Sequence, residues 1–352
     1  MKCFSNKISI FFILHITVTC ILTLLLLFSN FEYRIPILSQ IIKFSETPKS
    51  EKNQTRCPRI PEHLKGQIIV TLDRPYIGFL KDFRKCRSVT WPPSLYDLSE
   101  IYGQHIAEHS VFQPKCGRPF FKSTIGIIIA YRDRSEQLRL YLTYMLPILI
   151  RQELSFKIYV IEQTSNSIFN RAKLFNVGFD IIDREREREK INFDCIIFTD
   201  VDIIIENDHN LFRCDPLNRP RHYAAYLDKF SYELSYPKYV GGVIQITPKK
   251  FKYINGFSNK FWGWGGEDDD FYNRLVTFGK FKISRPKKSI GRAKMIRHEH
   301  EEENPPNSER IELLKNWSDR RSIDGLFDLE YRILERADLR IFEKILVDIV
   351  VK

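Results

Sequence analysis

The chain reads as an α/β protein built around a parallel sheet, and three observations point there. Residues 125–130, 158–161 and 195–198 are short, nearly continuous apolar runs, as strands buried on both faces of a parallel sheet should be. Each run ends in polar residues: Tyr131-Arg132-Asp133-Arg134, Glu162-Gln163 and Thr199-Asp200. Between the first two runs, Leu138, Leu142, Met145, Leu146 and Leu149 recur at helical spacing within 136–151. Strand, helix, strand is a βαβ unit. Ligands of such sheets sit beyond the carboxyl ends of the strands, so the polar residues after each run are the first candidates for a site.

Composition narrows the partners. The 352 residues include 27 Phe and 16 Tyr, enough for a large core, which excludes a disordered chain. The formal charge of +11 raises nucleic acid as a partner. Both signs are interleaved along the chain, however, and no basic tract alternates with aromatics, so nucleic-acid binding is not expected. The run DREREREK at 183–190 reads as a solvated face.

The N-terminus predicts the compartment. Residues 8–28 carry no charge over 21 positions. A helix of that length rises roughly 30 Å, about one hydrocarbon core. Residues 1–7 before it carry Lys2 and Lys7, which orients this head to the cytoplasm. The apolar run is long for a signal peptide, and Ser29-Asn30-Phe31-Glu32 is a poor cleavage site. The expected order is a cytoplasmic tail at 1–7, a transmembrane signal anchor at 8–28, a stem at 29–56 and a lumenal catalytic domain at 57–352. None of the seven cysteines forms C-x-x-C, so structural zinc is not expected. Five cysteines lie beyond the span, enough for two disulfides and one left over. Asn53 and Asn316 head N-glycosylation triplets.

Three segments carry chemistry. Asp200-Val201-Asp202 follows the third apolar run. Read as extended chain, it puts both carboxylates on one side, suited to a hard divalent cation bridging phosphate oxygens. Trp262-Gly263-Trp264-Gly265-Gly266 runs into Glu267-Asp268-Asp269-Asp270. Residues 268–278 read as a helix whose first-turn acids suit its dipole. A capped helix start explains the acids but not the Trp and Gly beside them. Trp faces stack on sugar rings, and a neighbouring carboxylate can take a hydroxyl proton. Finally, Met295-Ile296-Arg297-His298 offers an imidazole that can complete a metal site begun by a carboxylate.

Taken in order, five stretches are similar to the β-1,4-galactosyltransferase family (glycosyltransferase family 7). They are the stretch from Phe169-Asn170-Arg171 to Asn176-Val177-Gly178, Asp200-Val201-Asp202, Tyr239-Val240-Gly241-Gly242-Val243, the Trp262 to Asp270 stretch and Met295-Ile296-Arg297-His298. The resemblance extends to Asp324-Gly325-Leu326 and Val347-Asp348-Ile349. It implies a GT-A, Rossmann-like fold on a single-span Golgi membrane protein with a lumenal catalytic domain. The implied reaction is Mn²⁺-dependent, inverting transfer from a UDP-sugar to the 4-hydroxyl of an acceptor.

By that resemblance, Asp202, Met295 and His298 hold Mn²⁺, and Asp268 is the general base, with Glu267 at the donor sugar. Tyr131, Arg132, Arg134, Phe169, Arg171, Asp200, Val201, Lys229, Tyr239, Gly242 and Trp264 line the donor. Phe230, Tyr236, Gly266, Asp269, Arg310, Ile311 and Leu314 line the acceptor. The sequence alone does not rank the four acids 267–270; the resemblance does. A Tyr at position 239 goes with UDP-galactose, since its ring leaves no room for an acetamide. The acceptor implied is a terminal N-acetylglucosamine on a glycoprotein or glycolipid, although Ile311 stands where an aromatic is usual. The xylose-using branch lacks a Met at the place of Met295 and ranks lower. The implied disulfides are Cys57–Cys116 and Cys195–Cys214. Cys86 is left over, buried and free or paired between chains in a homodimer. The other readings are an N-acetylgalactosaminyltransferase, a lumenal sugar-binding protein without turnover, and a metal hydrolase using Asp200, Asp202, His298 and His300. Every mapped catalytic position is filled, which argues against the non-catalytic reading.

Overall fold

The computed structural model describes residues 57–73, 91–115, 124–165, 167–188, 191–297 and 304–350. All belong to one compact unit spanning Thr55–Lys352. The expected tail, anchor and stem, with Asn53, Cys86, Cys116, His298 and His300, lie outside the described residues. Among the described residues, no helix is long and apolar enough to cross a membrane.

In chain order the elements are α1 (Leu95–Tyr102), β1 (Thr124–Tyr131), α2 (Ser135–Arg151), β2 (Ser155–Gln163), α3 (Arg171–Arg188), β3 (Cys195–Asp200) and β4 (Ile203–Ile205). There follow β5 (Arg221–His222), β6 (Tyr226–Leu227), β7 (Val243–Ile246), α4 (Pro248–Tyr253), α5 (Glu267–Tyr272) and β8 (Arg292–Met295). The chain closes with α6 (Arg310–Lys315), α7 (Trp317–Arg320), β9 (Arg332–Asp338) and β10 (Glu343–Asp348). The three predicted strands and the predicted helix are β1, β2, β3 and α2. The three strands lie at the centre of a seven-stranded sheet in the order β5-β7-β3-β1-β2-β10-β9. Its centre is parallel, while β7, β5 and β9 add antiparallel edges.

Side chains of β1 alternate between two cores. Ile125, Ile127, Ile129 and Tyr131 join one cluster with α2, while Ile128 and Ala130 join the other with α3. This period of two explains why the strand is apolar throughout: both faces are covered. Pro147 lies inside α2, where a proline costs about 3 kcal/mol. Eleven buried residues of the helix, the large apolar ones worth roughly 1.5–3 kcal/mol each, outweigh that cost. On the other face, α3 approaches β1 closely at Gly178, where a Cβ would stand 2.6 Å from Ile128 Cγ2.

Two expectations need correction. The run at 183–190 is not wholly solvated: Glu185 is buried, accepting from Tyr159 Oη at 2.7 Å and pairing with Arg336. The helical period of α3 turns this one acid onto the sheet, where Lys157 and Arg336 compensate it. Nor is 268–278 one α-helix, because α5 widens into a π-helical turn at Asn273–Phe278. Arg274 in that turn is fully buried and donates to Asp270 Oδ2 at 2.6 Å and the Asp324 carbonyl at 2.8 Å. Of the implied disulfides, Cys195–Cys214 is formed. Cys57 is also disulfide-bonded.

Candidate active site

A cleft of 360 Å³ opens at the carboxyl ends of β1 and β3. It gathers Arg132, Arg134, Phe169, Arg171, Asp200, Val201, Asp202, Lys229, Tyr239, Gly242, Trp264, Glu267 and Met295. Residues far apart in sequence converge because the parallel strands all end on this edge.

The loop before α3 supplies one wall. Arg132 donates to the Ser167 carbonyl at 2.6 Å and lies 5.3 Å from the Phe169 ring centroid. Gln163, the last residue of β2, accepts from Asn170 N–H at 2.9 Å and donates to the Ile168 carbonyl at 2.9 Å. Asn170 Oδ1 then accepts from Lys173 N–H at 2.9 Å, capping α3. This presents Arg171 at the head of the helix, where it pairs with Asp200 and, at 3.5 Å, with Glu267. Burial opposes the charge on Arg171, but the two carboxylates outweigh it and hold the guanidinium ionised. Asp200 is pushed up to about 6 by burial, against the pull of Arg171 and with repulsion from Asp202.

Asp200 and Asp202 do not share one side of an extended strand. β3 ends at Asp200 and the chain turns at Val201 and Asp202. Asp200 is thereby tied to Arg171, while Asp202 meets the facing strand. There Ile203 of β4 pairs with Met295 of β8, and Ile296 N–H donates to the Asp202 carbonyl at 2.7 Å. Asp228 accepts from Met295 N–H at 2.9 Å. A carboxylate and a thioether therefore flank one part of the cleft. Among the described residues no group of three His, Cys, Asp or Glu could hold a metal ion.

The acidic helix closes the opposite side. Glu267 Oε2 is buried without a partner among the described residues. Asp268 is half-buried over Gly241, where an added Cβ would stand 2.8 Å from Asp268 Oδ2. Its carboxyl is pushed up to about 7, by burial first and then by Glu267 and Asp269. Such a group can exchange a proton near neutrality. Tyr239 is buried, with the rings of Phe230, Tyr236 and His222 at 5.8, 5.6 and 5.3 Å. Tyr236 bonds to Asp269, and burial and these acids raise its pKa well above the ordinary value.

The glycine-tryptophan loop ties the site to the chain after the undescribed 298–303. Gly263 N–H donates to the Phe169 carbonyl at 2.8 Å, and Trp264 N–H to the Pro305 carbonyl at 2.9 Å. At Gly263 φ is +85°, and a Cβ would stand 2.4 Å from Pro305 O, so only glycine fits. Trp264 itself is 55% exposed. Arg310 at the start of α6 packs over Gly265 and Gly266. Leu314 is half-buried, while Ile311 and Asn316 are exposed.

Tyr131 stands apart: it packs in the core and does not line the cleft. Ala130, Ile203, Leu227 and Asn304 line the cleft but were not anticipated. Gln163 and His222 support it from behind, and neither carries a sequence signal beyond its position. The result is an α/β fold with an acid- and arginine-lined cleft at the carboxyl edge of its sheet.

Comparison with known proteins narrows that class. Residues 85–215 match the N-terminal region of glycosyl transferase group 7, and residues 221–299 match the N-terminal domain of galactosyltransferase. Beta-1,4-galactosyltransferase 1 of Bos taurus is 44% identical over 225 residues, covering 64% of this chain and 54% of that protein. Beta-1,4-galactosyltransferase 3 of Rattus norvegicus is 45% identical over 257 residues, covering 73% and 62%. The chain thus spans about half the length of the first of these relatives. The crystal structure of a mutant Drosophila β-1,4-galactosyltransferase 7 with manganese, UDP-Gal and xylobiose matches with a TM-score of 0.54 at 25% identity, over 65% of this chain and 95% of that one. The chain belongs to glycosyltransferase family 7, the β-1,4-galactosyltransferases.

Proposed function

We propose that this chain is an inverting β-1,4-galactosyltransferase that moves galactose from UDP-galactose to the 4-hydroxyl of a terminal N-acetylglucosamine. The observation that carries the reading is the position of Asp268. A carboxyl group pushed up to about 7 lies beside Tyr239 and Gly241, at the edge of a cleft lined by arginines and acids. Asp268 takes the proton from the acceptor hydroxyl as that oxygen attacks the anomeric carbon from the face opposite the diphosphate. Arg132, Arg134 and Arg171 hold the nucleotide diphosphate, with Phe169 against the nucleotide. Glu267, whose Oε2 has no partner among the described residues, accepts a donor-sugar hydroxyl. Tyr239 limits the space beside the donor ring. Phe230, Tyr236, Asp269 and α6 receive the acceptor.

Asp202 and Met295 fit a metal of intermediate hardness better than magnesium, since both line the cleft, Asp202 from the turn before β4 and Met295 from the facing β8, and one is a thioether. With His298 they would hold Mn²⁺, which offsets charge on the departing diphosphate. The chain is further proposed to work in the Golgi lumen, anchored by 8–28, with N-glycans at Asn53 and Asn316.

The test is transfer by the purified chain with Mn²⁺ and N-acetylglucosamine, supplied with UDP-galactose or UDP-N-acetylgalactosamine in parallel. A β-1,4-linked galactose product that disappears in Asp268→Asn supports the reading. Preferential transfer of N-acetylgalactosamine overturns the donor assignment and keeps the mechanism. Release of free sugar at the same rate without acceptor would replace transfer with hydrolysis.

A further inference from the structure

Segment 237–241 carries Tyr239 into the cleft and runs beneath Asp268, yet it belongs to no strand. Three of its carbonyls accept from two side chains that do not line the cleft. Arg285 Nη2 donates to the carbonyls of Pro237 at 3.0 Å and Tyr239 at 2.9 Å. His222 Nε2 lies 2.8 Å from the Gly241 carbonyl, and Arg285 Nε donates to His222 Nδ1 at 3.5 Å. These partners define the tautomer: Nε2–H donates and Nδ1 accepts. Burial pushes the His222 imidazole down to about 3, so it is neutral in any working range. The ring also stands edge-on against Tyr239 and does not itself line the cleft.

The holders are themselves anchored. His222 pairs with Ile244 in β5 and β7, and its N–H donates to the Ser284 carbonyl at 2.9 Å, next to Arg285. Beyond the segment, the Gly242 carbonyl accepts from Asp200 N–H at 3.0 Å. The backbone that bears Tyr239 is thus fixed at both ends and from behind.

We propose that His222 and Arg285 are positioning residues for donor selection, clamping segment 237–241 so that the Tyr239 ring keeps its reach into the cleft. Neither touches the donor; both act through the backbone and ring of Tyr239. The proposal rests on the donor-selecting reading of Tyr239 given above.

The test uses the full chain purified in detergent, with Tyr239→Leu as reference. Affinities for UDP-galactose and UDP-N-acetylgalactosamine are measured by calorimetry with Mn²⁺ present, and transfer to N-acetylglucosamine is followed alongside. In Arg285→Lys and His222→Phe, the preference for UDP-galactose is expected to fall about tenfold, the scale of a one-group change in a pocket. The KM for N-acetylglucosamine should stay within about twofold of wild type. His222→Gln, which can still donate to the Gly241 carbonyl, should lie closer to wild type than His222→Phe. If His222→Phe does not fold, Arg285→Lys carries the test alone. Equal weakening of both donors, with their ratio unchanged while Tyr239→Leu shifts it, overturns the clamp alone. An unchanged ratio in Tyr239→Leu overturns the reading of Tyr239, and the clamp with it.

Discussion

Asp268→Asn should stabilise the protein at alkaline pH while slowing transfer. The carboxyl of Asp268 lies among Glu267 and Asp269, and its pKa rises from 3.8 to about 7. Roughly three units at ~1.4 kcal/mol each is ~4 kcal/mol held against the ionised form. The side chain is only partly buried, so solvent screening reduces this to ~1–2 kcal/mol. The sign follows from the raised folded value. Below about pH 4 the carboxyl is protonated in both states and imposes no penalty. Between about pH 4 and pH 7 the folded state holds the proton more tightly, so stability falls as pH rises. Above about pH 7 the penalty is present in full. Asparagine keeps the carbonyl that accepts Asp269 N–H at 3.0 Å and removes the charge. Its melting temperature in chelator should therefore exceed wild type by about 2–4 °C at pH 8 and by less at pH 5. Transfer should fall by ~10²–10⁴ in kcat. In the wild type, kcat/KM should climb with pH and level off above about 7. A variant no more stable than wild type at pH 8 refutes the reasoning, as does an unchanged stability difference between pH 5 and pH 8.

Three further outcomes are expected. Gly241→Ala puts a Cβ 2.8 Å from both Asp268 Oδ2 and Tyr239 Cε2. Transfer should drop ~10-fold or more through misplacement of these groups, with at most ~1–3 kcal/mol lost in a melt; unchanged kinetics would mean that Asp268 has room to move. Arg274→Met removes the fully buried cation shared by Asp270 and Asp324, leaving the less buried Arg320 as their remaining partner. It should cost ~3–5 kcal/mol in urea unfolding, and a loss below 1 kcal/mol would contradict the buried network. Cys214→Ser opens the bridge to Cys195, 19 residues away. Loop entropy gives ~3 kcal/mol, seen as a lower melting temperature without reductant that matches the reduced wild type if this bridge dominates.

What could be read from the sequence followed its periodicities. β1, β2 and β3 announced themselves because strands covered on both faces must be apolar throughout, and α2 because one face repeats at helical spacing. The edge strand β5 of the main sheet, and β6, which pairs parallel with β8, are two residues each, too short for any period to register. Pairing was harder to see than residue type. Arg171 and Asp200 are 29 positions apart, and nothing local says that they meet. Nor could His222 be told from an ordinary buried histidine until Gly241 and Arg285 were seen on its two nitrogens. The four acids 267–270 show the limit most clearly. A helix turns about 100° per residue, so four consecutive carboxylates must point in four directions. Glu267 faces Arg171, Asp268 overlies Gly241, Asp269 bonds Tyr236, and Asp270 turns inward to Arg274 and Arg320. One run of acids therefore supplies a cleft contact, the proposed general base, a contact to Tyr236 and a buried structural ion pair. Only the strand ends and loops packed around the helix decide which acid has which role.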